Sequence, residues 1–147
     1  MPDFDTADFH NVLLAGPRSS GKTTLAEALL FRAGEISRQG NVEAGTAASD
    51  FEKEEQAHHY SVYSTLMHAT HQAKRINILD LPGAPDFIGQ AIACLPAAET
   101  MMLVMDPERG IDSVTRRLFK LARSLDLPVA IVVSHIGEGV AHLGSFL

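Results

Sequence analysis

Gly16-Pro17-Arg18-Ser19-Ser20-Gly21-Lys22-Thr23 is the stretch that decides the fold. It has the form Gly-x-x-x-x-Gly-Lys-Thr, in which every fixed residue has a physical task. Glycines let the backbone wrap closely around phosphate oxygens. The amide N–H groups of residues 19–24, from Ser19, Ser20 and Gly21 to Thr24, are expected to point inward, and the helix that follows adds its positive end. Lys22 is placed to reach the β- and γ-phosphates, and the Thr23 hydroxyl to ligate Mg²⁺. Such a loop sits between a strand and a helix, and the flanks agree. Asn11-Val12-Leu13-Leu14-Ala15 is a short apolar run that suits a buried strand. From Lys22 to about Ala33 a helical pattern places Leu25, Leu29 and Ala33 on one face.

Farther along, residues 1–9 read as a loose tail and residues 34–57 as a long loop without clear period, holding Gly34, Gly40, Gly45 and Glu52-Lys53-Glu54-Glu55. Tyr60, Val62, Ser64 and Leu66 alternate with polar neighbours as in a strand. Ile76 to Leu79 predicts a second strand, ending in Asp80-Leu81-Pro82-Gly83. Phe87, Ile88, Ala91, Ile92 and Leu95 form a helical face stopped by Pro96. Met101 to Met105 is a strand ending at Asp106-Pro107. Ile111, Val114, Leu118, Leu121 and Leu125 mark a helix, and Val129 to Val133 a last buried strand. Strands alternating with helices predict an α/β protein: a P-loop nucleotide-binding fold with a mostly parallel sheet and helices on both faces.

Asp80 is the second chemical signal. An acid at the end of an apolar strand, paired with a phosphate loop upstream, holds Mg²⁺ directly or through water. Gly83 can offer a backbone N–H to the γ-phosphate.

Bulk properties restrict the function classes. The chain has 147 residues, 46% hydrophobic and 20% charged, which fits one domain with a real core. A net charge of −6 gives no general pull toward nucleic acid or anionic membranes, so no direct nucleic-acid partner is expected. The single cysteine, Cys94, rules out an internal disulfide. No signal-peptide pattern and no membrane-spanning apolar run is seen, so a cytoplasmic protein without a membrane partner is expected. His58-His59, His68 and His71 lack the cysteines or carboxylates of a metal centre and read as solvated. Arg116, Arg117, Lys120 and Arg123 read as a solvated helix face, and Met101, Met102, Met105 and Cys94 as core.

Taken together, these segments resemble the GTPase domain of translational GTPases, most closely elongation factor G and its relatives. The resemblance runs from about His10 to Gly137. It is carried by residues 11–16 leading into the phosphate loop, then by Thr24-Leu25-Ala26-Glu27-Ala28-Leu29-Leu30 and Gly45-Thr46-Ala47-Ala48-Ser49-Asp50-Phe51. Ile76 to Phe87, Gly110-Ile111 and Leu127-Pro128 also fit. It implies that residues 10–147 are a GTP-binding domain taking GTP or GDP with Mg²⁺, working in translation elongation or on the ribosome. Residue by residue, it gives phosphate-loop roles to Gly16, Gly21, Lys22 and Thr23, and second-switch roles to Asp80 and Gly83. The magnesium-binding threonine of the first switch falls on Ser61, which keeps the hydroxyl.

Three departures stand against the family pattern. Ala84 occupies the place of the water-positioning histidine, and a methyl group cannot orient water, so hydrolysis is expected to be impaired. Ser134-His135-Ile136-Gly137 stands where the guanine-reading Asn-Lys-x-Asp belongs, and Gly137 has no carboxylate to accept hydrogen bonds from guanine. The sequence stops at Leu147, short of a further strand and helix that the resemblance implies, which would leave residues 130–133 as an uncovered apolar edge. Lys22, Thr23 and Asp80 favour a GTP-binding domain. Ala84 and Gly137 favour the alternative, a non-catalytic interaction module with relaxed nucleotide choice. For an ATPase, no adenine-reading feature is present.

Overall fold

The computed structural model describes residues 4–41, 46–47 and 63–137. Five strands form one sheet: β1 (Phe9–Ala15), β2 (Thr65–His71), β3 (Lys74–Asp80), β4 (Thr100–Met105) and β5 (Val129–Val133). The α-helices among the described residues are α1 (Lys22–Ala33), α2 (Ile88–Cys94) and α3 (Ser113–Ser124). The strand order is β2-β3-β1-β4-β5. β1 runs parallel to both β3 and β4, and β4 to β5, while β2 is antiparallel to β3. This is the expected mostly parallel sheet with helices on both faces.

β1 is central and buried from both sides, which is why its sequence is a continuous apolar run rather than an alternating one. Leu13 and Ala15 face one way, joining Met101, Leu103 and Met105 of β4 against Ala91 of α2 and Val114, Leu118 and Ala122 of α3. Leu14 faces the other way, with Ile78, Met67 and Ala69 against Ala26 and Leu30 of α1. Later strands flank β1 on opposite sides: α1 leads toward β2 and β3, and α2 carries the chain to β4. Loops leaving the carboxyl ends of β1 and β4 therefore diverge, opening a crevice at a topological switch point.

Several sequence expectations need correction. Thr6–Asp8 form a 3₁₀ turn capped by the Asp5 side chain, and β1 begins at Phe9, so the reading of a tail to residue 9 is too long. The alternation over residues 59–66 lies partly outside the described residues. The observed strand is β2, whose inward residues are Met67 and Ala69, while Leu66 points outward at 67% exposure. β2 turns into β3 through Gln72 and Ala73, both left-handed at φ 48° and 59°, which is the backbone of a tight two-residue hairpin. In α1 the inward face is Ala26 and Leu30, with Leu29 turned outward. In α3 Ile111 and Leu125 fall outside the helix and are exposed. Among the described residues β5 pairs with β4 alone, and its Ala130 and Ile131 are exposed. Arg116, Arg117, Lys120 and Arg123 form the solvent face of α3. His68 and His71 are exposed on β2, and Cys94 packs beside the core with its thiol 3.5 Å from Ser64 Oγ. No helix among the described residues is long and apolar enough to cross a membrane.

Candidate functional site

The loop between β1 and α1 has the backbone shape that its sequence predicts. Gly16 and Gly21 adopt φ of 144° and 85°, and Ser19 between them is also left-handed at 59°. Left-handed residues interspersed with right-handed ones turn successive amides toward one concavity, a nest for anions. Gly16 has a second reason to be glycine. A Cβ there would overlap the carbonyl oxygen of Val104, so the loop lies directly against β4. Gly21 caps α1 without any side-chain hydrogen bond, and the first helical bond runs from Leu25 N–H to Gly21 O at 2.8 Å. The first-turn amides of Lys22, Thr23 and Thr24 therefore have no helical acceptor and remain for a ligand. Ser20 Oγ is buried with no hydrogen-bond partner among the described residues, so a polar donor waits inside the loop.

Lys22 is 7% exposed, and its ammonium donates to Pro17 O at 2.8 Å. Burial pushes its pKa below the usual lysine range, opposed by the nearby carboxylates of Asp80 and Asp112. A phosphate beside the ammonium would favour its charged form. Thr23 Oγ1 donates to Asp80 Oδ2 at 2.7 Å, and Asp80 is 1% exposed. A hydroxyl and a carboxylate, both hard oxygens, fit a Mg²⁺ ion, which takes one or two protein oxygens and completes its octahedron with phosphate and water. No cluster of three or more His, Cys, Asp or Glu side chains exists among the described residues, so a dedicated protein cage is absent there. Ser61, the third predicted metal ligand, lies outside the described residues, as do His58 and His59.

Asp80 leads into Leu81, whose N–H donates to Leu14 O at 3.0 Å and keeps this segment beside β1. Gly83 then lies on the phosphate loop: a Cβ there would be 2.5 Å from Lys22 Nζ and 2.7 Å from Arg18 N. Only glycine allows that approach. Ala84 follows, buried, and offers only a methyl group.

The opposite end of the crevice is formed by residues 134–137. Ser134 prolongs β5, its N–H and Oγ both donating to Met105 O at 2.9 and 3.0 Å. His135 is left-handed at φ 51°, and its ring edge lies 3.9 Å from a Cβ placed on Gly21. Its Nδ1 is 3.1 Å from Oδ2 of the buried Asp106. Gly137 is exposed and presents no side chain. The structure thus brings Gly16, Ser19, Ser20, Gly21, Lys22, Thr23, Thr24, Asp80 and Gly83 together. Sequence reasoning missed Asp106 and Arg109 as members of this neighbourhood. The available signal was Asp106 at the carboxyl end of a central strand, the same position that singles out Asp80.

Comparison with known proteins agrees with this geometry. Residues 7–136 match the family described as the elongation factor Tu GTP binding domain. The chain is 35% identical over 132 residues to an elongation factor G-like protein of Mycobacterium tuberculosis, covering 90% of this chain and 18% of that protein. It is 40% identical over 114 residues to peptide chain release factor 3 of Lactobacillus delbrueckii subsp. bulgaricus, covering 75% of this chain and 22% of that protein. A crystal structure of a Thermus thermophilus protein superposes with a TM-score of 0.82 at 36% identity, covering 86% of this chain and 19% of the other. A bacterial selenocysteine-specific elongation factor superposes with a TM-score of 0.74 at 25% identity, covering 94% and 22%. The chain therefore spans about a fifth of the length of these relatives. Fold, phosphate site and sequence agree that it belongs to the elongation factor Tu GTP-binding domain family, the G domain of the translational GTPases.

Proposed function

We propose that residues 10–137 bind GTP and GDP as Mg²⁺ complexes and that the domain serves a translation factor acting on the ribosome. One observation carries the reading: amides without helical acceptors at residues 22–24 lie beside the buried Lys22 and the Thr23–Asp80 pair. Glycine cradle, cation and hard-oxygen pair are what a magnesium-bound triphosphate requires. In this reading the loop amides and Lys22 bind the phosphates, and Thr23 and Asp80 hold the ion, with Ser61 as a further ligand. Gly83 donates its N–H toward the terminal phosphate. Mg²⁺, when bound, neutralises charge on the phosphate chain. Ala84 leaves the attacking water without an orienting group, so hydrolysis is slow. The companion domains of the relatives, and the cytoplasmic setting of translation, belong to this proposal.

A second reading is favoured by the base end. His135 beside Gly21 and the bare Gly137 supply no acceptor pair for guanine, which points to a domain that grips phosphates and tolerates either purine. Titration with fluorescent GTP, GDP and ATP analogues, with and without Mg²⁺, separates the two, with Lys22→Ala as control. Guanine-selective binding lost in the control supports the first reading. Equal binding of GTP and ATP supports the second. Absence of binding would remove both.

A further inference from the structure

A cleft of about 200 Å³ opens just outside the phosphate loop, lined by Arg18, Gly83, Pro85, Arg109 and Asp112 among others. Its position relative to a bound nucleotide follows from two contacts. His135 stands at Gly21, at the start of α1. Gly83 stands at the opposite side of the loop, against Lys22 Nζ and Arg18 N. Loop amides hold the inner phosphates, and the lysine ammonium reaches outward along the chain. A phosphate chain gripped by Lys22 therefore ends at Gly83, at the mouth of this cleft.

Two arginines from distant parts of the sequence meet there. Arg109 lies on the turn after β4, closed by its N–H to Asp106 O at 3.2 Å. Its Nη1 donates to Arg18 O at 3.3 Å, and its Nε is 3.4 Å from Asp106 Oδ2. The Arg109 side chain is 58% exposed, and exposed pairs with such long distances hold a side chain weakly. A doubly charged terminal phosphate is a stronger acceptor for a guanidinium than a neutral carbonyl. The acid in the cleft, Asp112, caps α3 by accepting from Thr115 N–H at 2.8 Å. Arg18, Arg109 and Asp112 line the cleft, Lys22 Nζ stands behind Gly83, and Asp106 holds the near side of Arg109.

We propose that Arg109 reaches the terminal phosphate across this cleft and makes the domain prefer a nucleoside triphosphate to the diphosphate. This rests on the phosphate-binding reading above. It supplies charge recognition from within the chain at a site where position 84 offers none.

The test compares binding of fluorescent GDP and of guanosine 5′-(β,γ-imido)triphosphate, both with Mg²⁺, to the unaltered chain and to Arg109→Ala and Arg109→Lys. Arg109→Ala is expected to weaken the triphosphate by about tenfold while leaving GDP within about twofold. Arg109→Lys should recover part of the loss, and melting without nucleotide should be unchanged. Equal weakening of both ligands would show that Arg109 merely braces the loop, and unchanged binding of both would show that it does not reach the phosphate. Either result overturns the proposal while the phosphate site stands. An unaltered chain that binds neither ligand overturns the proposal and the phosphate site together.

Discussion

At one end of the crevice Gly16 to Thr24 wrap a concavity lined by backbone amides; at the other, Ser134 to Gly137 present a serine, a histidine ring and a glycine. The two ends differ in what builds them. The phosphate end depends on backbone path, and that path is enforced by packing against Val104 O and by the approach of Gly83. Residues at the x positions of the loop, such as Pro17 and Arg18, leave it intact. The base end depends on side-chain atoms at single positions. A glycine at 137 leaves this end without a side chain there and does not disturb β5, which pairs with β4 along its length. A site built from backbone therefore tolerates sequence change better than one built from side chains.

The largest expected effect breaks the backbone end. Gly16→Ala forces a methyl group into the Val104 carbonyl at φ 144° and should destabilise the fold by at least ~3 kcal/mol, read by urea unfolding. Near-normal stability of that variant would mean that β4 does not fix the loop. Next comes an attempt to rebuild the side-chain end. His135→Lys with Gly137→Asp should raise the GTP-to-ATP binding ratio by about tenfold or more, because a carboxylate that accepts guanine donors rejects a base lacking them. An unchanged ratio would show that the base does not lie at residues 134–137.

A pH experiment sharpens the contrast further. Burial lowers the pKa of Lys22 in the folded chain below its unfolded value. Between those two values the unfolded state binds more protons, so the nucleotide-free chain should gain stability as pH rises toward the ordinary lysine range. Lys22→Met should lack that gain, and unfolding curves measured near neutral pH and again just below the ordinary lysine pKa give the difference. Parallel curves for the two proteins would contradict a Lys22 whose charge is penalised by burial. The smallest effects are conformational. Ser19→Gly and Ala73→Gly each relieve a left-handed non-glycine residue and should stabilise by about 1 kcal/mol. Ser19→Gly is expected to leave nucleotide affinity nearly unchanged, since the amide keeps its direction; a large loss would implicate the Ser19 side chain.

Much of this architecture was legible in advance. Most strand and helix segments fall where periodicity and turn residues place them, because β1, β3, β4, β5 and the helices carry local patterns that burial on one or two faces imposes. β2 was misplaced because its Leu66 lies on the solvent side, so alternation counted from that residue selects the wrong face. It is held instead by pairing to β3, through a hairpin turn whose Gln72-Ala73 lacks the glycine or asparagine that usually announces it.

By itself the sequence predicted a phosphate loop, since Gly-x-x-x-x-Gly-Lys-Thr is contiguous and its chemistry is a property of local backbone conformation. It also shows that positions 84 and 137 carry no polar side chain, because an absent functional group needs no fold to be absent. Only the tertiary structure decided what surrounds that loop. Thr23 meets Asp80, Arg18 meets Arg109 and Gly21 meets His135 because parallel strands deliver all of their carboxyl-end loops to one edge of the sheet. Those meetings join residues 57 and 91 positions apart in the first two cases. Pairings at such separations leave no local pattern in the chain; they arise from the strand order.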